Sequence, residues 1–285
     1  MFLKLHSIEI QINYFIQNFR SEFLDNFFLF LNFFDTATFY LILISFLLIF
    51  ISRKWGLRVL FLIFSFSVIN IFCKILFNQP RPFMMAPSLT ILPLMSNGFP
   101  SGATSGAMIL SGLLISQFPK KIIVWFIGVG YLLLISFSRL YLGVHFLSDV
   151  IGGWILGFII LATFLKFSKA FEKFIVKNKK AFFFAIQVIP CLLFAIPEFR
   201  IFWKVFLALI AFGLGITLSE RYGLAPLEPN FPKIKKVVVS LLGILLIVPF
   251  ILSKKLEPFG YYLFGFWLSF GYLFVTKIFC KIKKS

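Results

Sequence analysis

The feature that most limits how this chain can fold is a series of apolar runs of roughly 16 to 22 residues, each closed by Lys or Arg. A helix rises about 1.5 Å per residue and so needs about 20 residues to cross a hydrocarbon core of about 30 Å. Inside lipid every backbone N–H and C=O must find a partner, and a run of this length meets that demand as a helix and not as a barrel strand. Nine runs fit the requirement: 36–51, 57–77, 103–118, 122–137, 146–165, 181–196, 201–218, 237–252 and 260–278. Of the 285 residues 60% are hydrophobic and only 13% charged, more apolar than the core of a soluble domain demands. The expected fold class is therefore all-α, a polytopic transmembrane helical bundle of about nine spans.

Residues 1–35 differ from these runs, mixing Ile, Phe and Leu with charges at helical intervals, so they are expected to form an amphipathic helix lying in the membrane interface. Residues 36–168 hold five of the runs and every polar group of chemical interest, and they are expected to form a catalytic core. Beyond them a basic linker leads, within 169–285, to four further spans of no evident chemistry.

A formal charge of +18 raises the possibility of a nucleic-acid partner. The basic residues, however, sit in short clusters at the ends of apolar runs, which marks them as topology signals and contacts to anionic lipid. The clusters at Arg53–Arg58, Lys120–Lys121, Lys166–Lys180 and Arg221–Lys236 are expected on the cytoplasmic side. The three cysteines show no CxxC or Cys/His spacing, so neither a metal nor a disulfide framework is indicated, and no cofactor is expected.

Between residues 36 and 171 there is one acidic side chain, Asp149, and one histidine, His145, four residues apart at the start of an apolar run. On a helix such a pair shares a face, so the carboxylate can hold one imidazole nitrogen and leave the other as a nucleophile or base. Ionisable groups at membrane depth are costly and seldom idle. The loops assigned to the same, non-cytoplasmic side also carry Lys74, Arg81, Arg139 and Pro100-Ser101-Gly102. Guanidinium forks, an ammonium, and a hydroxyl and amide at a helix N-terminus are the parts of a phosphate site. Each has an ordinary alternative: Lys74 as a snorkelling side chain, Pro80-Arg81-Pro82 as a rigid turn, Ser101-Gly102 as a helix cap, Asp149 as another. Their convergence on one side of one membrane favours the phosphate site.

The segment from Lys74 to Arg81-Pro82 resembles the first signature of the type 2 phosphatidic acid phosphatase (PAP2) superfamily, a Lys followed seven residues later by Arg-Pro. Pro100-Ser101-Gly102 is similar to the second, Pro-Ser-Gly-His, and Ser138-Arg139 through His145 to Asp149 to the third. The resemblance covers about residues 36–166 and implies a helical bundle that transfers a phosphoryl group from a lipid without a metal. By position it implies that His145 attacks phosphorus and becomes a phosphohistidine. Asp149 would orient its ring, and Lys74, Arg81, Ser101, Gly102 and Arg139 would bind the phosphoryl oxygens.

One position departs from the family pattern. The second signature should end in His, the acid for the departing oxygen, and here it is Ala103. An alkoxide, whose conjugate acid has a pKa near that of water at about 15.7, needs a proton as it leaves; a phosphate, with a second pKa of about 6, does not. General acid catalysis is commonly worth about 10²- to 10⁴-fold. The expectation is a lipid phosphatase or phosphotransferase in a bacterial inner (cell) membrane, with its site on the non-cytoplasmic face, that favours lipid diphosphates over monoesters. The alternative is a catalytically silent membrane protein that binds lipid phosphate head groups.

Overall fold

The computed structural model describes residues 2–94, 96–224 and 232–281, and among them every regular element is helical. Residues 225–231, inside the basic stretch from Arg221 to Lys236, lie outside the described residues. The chain divides into two compact units, 1–40 with 60–168, and 41–59 with 169–285.

The first unit begins with α1 (Phe2–Gln17) and α2 (Glu22–Leu31), the latter capped by Ser21, whose hydroxyl accepts the Leu24 N–H. A 3-10 turn at Asn32–Asp35 leads into α3 (Ala37–Phe46), which runs on through a π-helical turn at Leu47–Ile51 into the second unit's residues. The segments 22–35 and 37–51, on either side of Thr36, are bent by 59°. Then come α4 (Arg53–Phe77), the short α5 (Pro82–Met85), α6 (Gly102–Gln117), α7 (Ile122–Tyr141) and α8 (Leu147–Lys177). Small residues let α6 sit deep in this unit, where Ala103, Thr104, Ser105, Gly106 and Ala107 are all buried. On α8 the facing positions are glycines: a Cβ at Gly153 would lie 2.7 Å from the Ser101 carbonyl, and one at Gly157 would lie 2.6 Å from that of Ser105.

The second unit holds α9 (Lys179–Phe194), α10 (Trp203–Arg221), α11 (Lys233–Leu252), α12 (Glu257–Phe266) and α13 (Tyr272–Lys281). Its apolar packing includes Leu41 with Ala208 and Tyr261, and Ile49 with Leu224, Val239, Tyr272 and Leu273. Lys204 and Glu257 join α10 to α12 through a 2.7 Å ion pair.

Six described helices are long and apolar enough to cross a membrane, or seven if the bent pair of 22–35 and 37–51 forms one span. The sequence suggested nine, counting the runs on α6 and α9, but each of those helices has only 16 residues. Residues 1–35 also differ from the single interfacial helix expected of them. They form two helices and a turn, and the polar residues of α1 point into the first unit: His6, Glu9 and Asn13 are buried, while Ile8, Phe15 and Phe19 are exposed. A polar face has docked because the loop between α7 and α8 presents backbone groups for it to bond, among them the Leu140 and Tyr141 carbonyls and the Ser148 N–H.

Candidate active site

The site forms where the C-terminal ends of α4 and α7 meet the N-terminal ends of α6 and α8. His145 lies in the loop before α8, and its Nδ1 is 3.2 Å from Asp149 Oδ2. That same carboxylate oxygen accepts the Phe146 N–H at 2.9 Å, the reciprocal half of a capping box at the start of α8. On the other side of the ring Nε2 faces Arg81 Nη1 at 3.2 Å. A guanidinium can only donate, so Nε2 carries the lone pair and Nδ1 the proton directed at Asp149, an assignment made from the bonding network. The imidazole thus presents its nucleophilic nitrogen to a cation, where a phosphoryl oxygen would also be drawn.

Backbone carbonyls and side-chain oxygens hold the cationic groups. Arg81, only 2% exposed, donates from Nη1 to the Val144 carbonyl at 2.7 Å and from Nη2 to Ser96 Oγ at 2.9 Å. Lys74 donates to the carbonyls of Asn97 and Gly98, and the Asn97 amide donates back to the Lys74 carbonyl. Arg139, fully buried in the last turn of α7, donates from Nε to Ser138 Oγ at 3.0 Å and from Nη1 to Asn32 Oδ1 at 2.8 Å. Its Nη1 also stands 3.8 Å from Asp35 Oδ2. Ser101 caps α6, its N–H bonded to the Asp149 carbonyl at 3.0 Å, and Gly102 starts the helix with its Cα facing Asn70.

Three buried polar atoms here have no hydrogen-bond partner among the described residues: Ser101 Oγ, Arg139 Nη2 and Asp149 Oδ1. Leaving buried polar atoms unpaired costs about 1–3 kcal/mol each, so a cluster of them beside a helix N-terminus suits a polar, anionic guest.

The structure therefore brings together His145, Asp149, Lys74, Arg81, Ser101, Gly102 and Arg139, all of the residues the sequence singled out as catalytic or phosphate-binding. Ala103 is 3% exposed and belongs to an apolar cluster with Ile16, Phe28, Leu31 and Tyr141. Several neighbours went unread in the sequence. Asn32 and Asp35 approach Arg139 from the turn before α3, Ser96 and Asn97 bind the two other cations, and His6 stacks on Phe146 with ring centroids 4.1 Å apart. Asp35 lies one residue outside the window in which Asp149 stood alone; the others are neutral or distant in sequence and carried no signal.

Residues 55–173 match the PAP2 superfamily. That segment belongs to the PAP2 superfamily. The chain is 32% identical over 109 residues to the undecaprenyl-diphosphatase BcrC of Bacillus subtilis, a match covering 38% of this chain and 55% of that one. It is 35% identical over 112 residues to an undecaprenyl-diphosphatase of Sulfolobus acidocaldarius, covering 37% and 52%. The chain thus spans about half the length of these curated relatives. Among solved structures, LpxE of Aquifex aeolicus aligns with 32% identity and a TM-score of 0.49, over 55% of this chain and 93% of that one. A PAP2-type phosphatidylglycerolphosphate phosphatase of Bacillus subtilis shares the fold, with 23% identity and a TM-score of 0.51 over 59% and 87%.

Proposed function

We propose that this protein is a lipid phosphatase or phosphotransferase that works through a phosphohistidine on His145 and favours lipid diphosphates. The observation that carries the reading is the orientation of His145, with Nδ1 on Asp149 and Nε2 on Arg81.

In the first step the Nε2 lone pair forms a bond to the terminal phosphorus while the bond from phosphorus to the bridging oxygen breaks. The departing group is the lipid monophosphate, which carries the electron pair away without needing a proton from the protein. The ring becomes a cation, and the Asp149 carboxylate on Nδ1 stabilises it. Lys74, Arg81, Arg139, Ser101 and the Gly102 N–H hold the equatorial oxygens as charge gathers on them. In the second step water attacks phosphorus, the P–N bond breaks, His145 regains its lone pair and the water proton leaves with inorganic phosphate. An alcohol in place of water would make the protein a phosphotransferase.

Two features support the diphosphate bias. Ala103 removes the acid that an alkoxide leaving group would need, and both curated relatives are named undecaprenyl-diphosphatases. The basic clusters support a site on the non-cytoplasmic side of the membrane: a reporter fused near Lys173 is expected to read cytoplasmic, and one near Met95 non-cytoplasmic.

The test is phosphate release by the purified protein from a polyprenyl diphosphate and from phosphatidic acid. The expected result is faster release from the diphosphate by about 10²-fold or more, abolished in His145→Ala. Equal rates on both lipids would remove the bias. No release from either, with head-group binding unchanged in His145→Ala, would favour the second reading, a silent lipid-phosphate binder, to which the apolar surroundings of Ala103 also point.

A further inference from the structure

Helix α1 lies outside the segment that matches the family, yet its polar residues converge on the loop that carries His145. Glu9, Asn13 and Gln17 are spaced four apart and so share one face of the helix. Asn13, fully buried, donates from Nδ2 to the carbonyls of Leu140 at 2.9 Å and of His145 itself at 3.2 Å. Gln17 donates to the carbonyls of Tyr141 at 2.9 Å and Leu89 at 3.0 Å. The Glu9 carboxylate accepts the Ser148 N–H at 2.7 Å and the Ser148 hydroxyl at 2.9 Å, in the first turn of α8. One turn earlier, His6 stacks on Phe146.

These contacts grip the 140–148 loop on both sides of the nucleophile. Helix ends leave such groups short of intrahelical partners: the Leu140 and Tyr141 carbonyls end α7 and the Ser148 N–H begins α8, and Asn13 adds a second donor to a Leu140 carbonyl that already accepts the Gly143 N–H at 3.1 Å. The opposite face of α1 presents Leu5, Ile8 and Phe15 to the surroundings, and Phe19 just beyond the helix is exposed as well. A helix with its polar side inward and its apolar side outward is placed as lipid requires.

We propose that α1 is a positioning clamp for the catalytic loop, with Asn13 and Glu9 as positioning residues that set the place of His145 against the phosphate site. The proposal rests on the phosphatase reading given above. In-line transfer tolerates little displacement of the nucleophile, and a shift of about 1 Å can cost on the order of 100-fold in rate. Since neither residue touches the phosphate site, the loss belongs in kcat and not in KM.

Two measurements test it on the full-length protein in nanodiscs. The first is phosphate release from a polyprenyl diphosphate by Asn13→Leu, which keeps volume but removes both donors, by Glu9→Ala, and by Glu9→Gln, which keeps an acceptor for the Ser148 N–H. Ser7→Ala, at an exposed position of α1, is the control. The expected result is a fall in kcat of about 10- to 100-fold in Asn13→Leu and Glu9→Ala with KM within about 2-fold, and recovery of most of the rate in Glu9→Gln. The second is amide exchange of 139–150, expected to quicken by about 10-fold or more in the same two variants and not in the control. Unchanged exchange and unchanged kcat in both would overturn the clamp. A parent that releases no phosphate would instead sink the phosphatase reading, and exchange alone would then decide the clamp. Asn13 and Glu9 hold different atoms of the loop, so if one variant fails to fold the other still decides.

Discussion

Burial, and after it the positive charges of Arg81, Lys74 and Arg139, hold the His145 imidazole well below its ordinary pKa of 6.5. The nucleophile is therefore neutral at pH values where a free histidine would already be protonated. The acid limb of kcat/KM is expected below pH 6.5, and a limb at or above 6.5 would contradict the arrangement. The linkage has a definite sign: below pH 6.5 the unfolded chain takes up this proton and the folded one does not. Stability should therefore fall as pH drops from 6.5 to the folded-state value, a decline that His145→Ala should lessen in thermal unfolding. Gly143 is a second residue the loop depends on, since its φ is +67° and a Cβ there would meet the Leu89 carbonyl. Gly143→Ala is expected to cost about 1–3 kcal/mol in unfolding free energy and to slow turnover. Ala103→His is the natural attempt to restore the missing acid. The position is buried among apolar side chains, so the imidazole should overpack the site by about 1–3 kcal/mol, and any gain on phosphatidic acid should come with a lower Tm.

Helix termini build the site, and helix packing sets their spacing. α6 supplies Ser101 and Gly102, and α8 supplies Asp149; they approach closely because α8 carries Gly153 where the Ser101 carbonyl and the Thr104 hydroxyl press against it. Gly153→Ala should push the start of α6 away from the cations, raising KM for the lipid diphosphate by several-fold in steady-state assays while His145 keeps its own contacts. α1 and α2 pack against α7, an arrangement that spacing along the chain did not reveal. The charges of residues 1–35 looked like the wet side of an interfacial helix. Glu9, Asn13 and Gln17 are instead partners for backbone groups more than 70 residues away, and amphipathic periodicity is blind to which side of a helix faces the protein. Phe15→Ser with Phe19→Ser should weaken the seat of α1 in lipid, seen as faster amide exchange of α1 in nanodiscs.

At the scale of the chain, the two units part between Ser168 and Lys169, where the basic linker begins, but the residues before that point do not all fall in one unit. Residues 41–59 group with the C-terminal helices, and Leu41 and Ile49 pack with Ala208, Tyr261, Val239 and Tyr272. Truncation after Ser168 should therefore strand buried apolar surface on those residues. Loss of monodisperse protein on size exclusion is the expected outcome; a stable, active 1–168 fragment would show the C-terminal helices to be dispensable. The apolar runs and the order of the signatures were enough to predict a helical membrane protein and the seven residues that now lie together, because run length reports the solvent and local spacing reports which groups share a helix end. Nothing local could show that Asn32 and Asp35 reach Arg139, that α1 grips the His145 loop, or that the surroundings of Ala103 are apolar. Those contacts join residues far apart in the chain, and only the packed helices bring them within bonding distance.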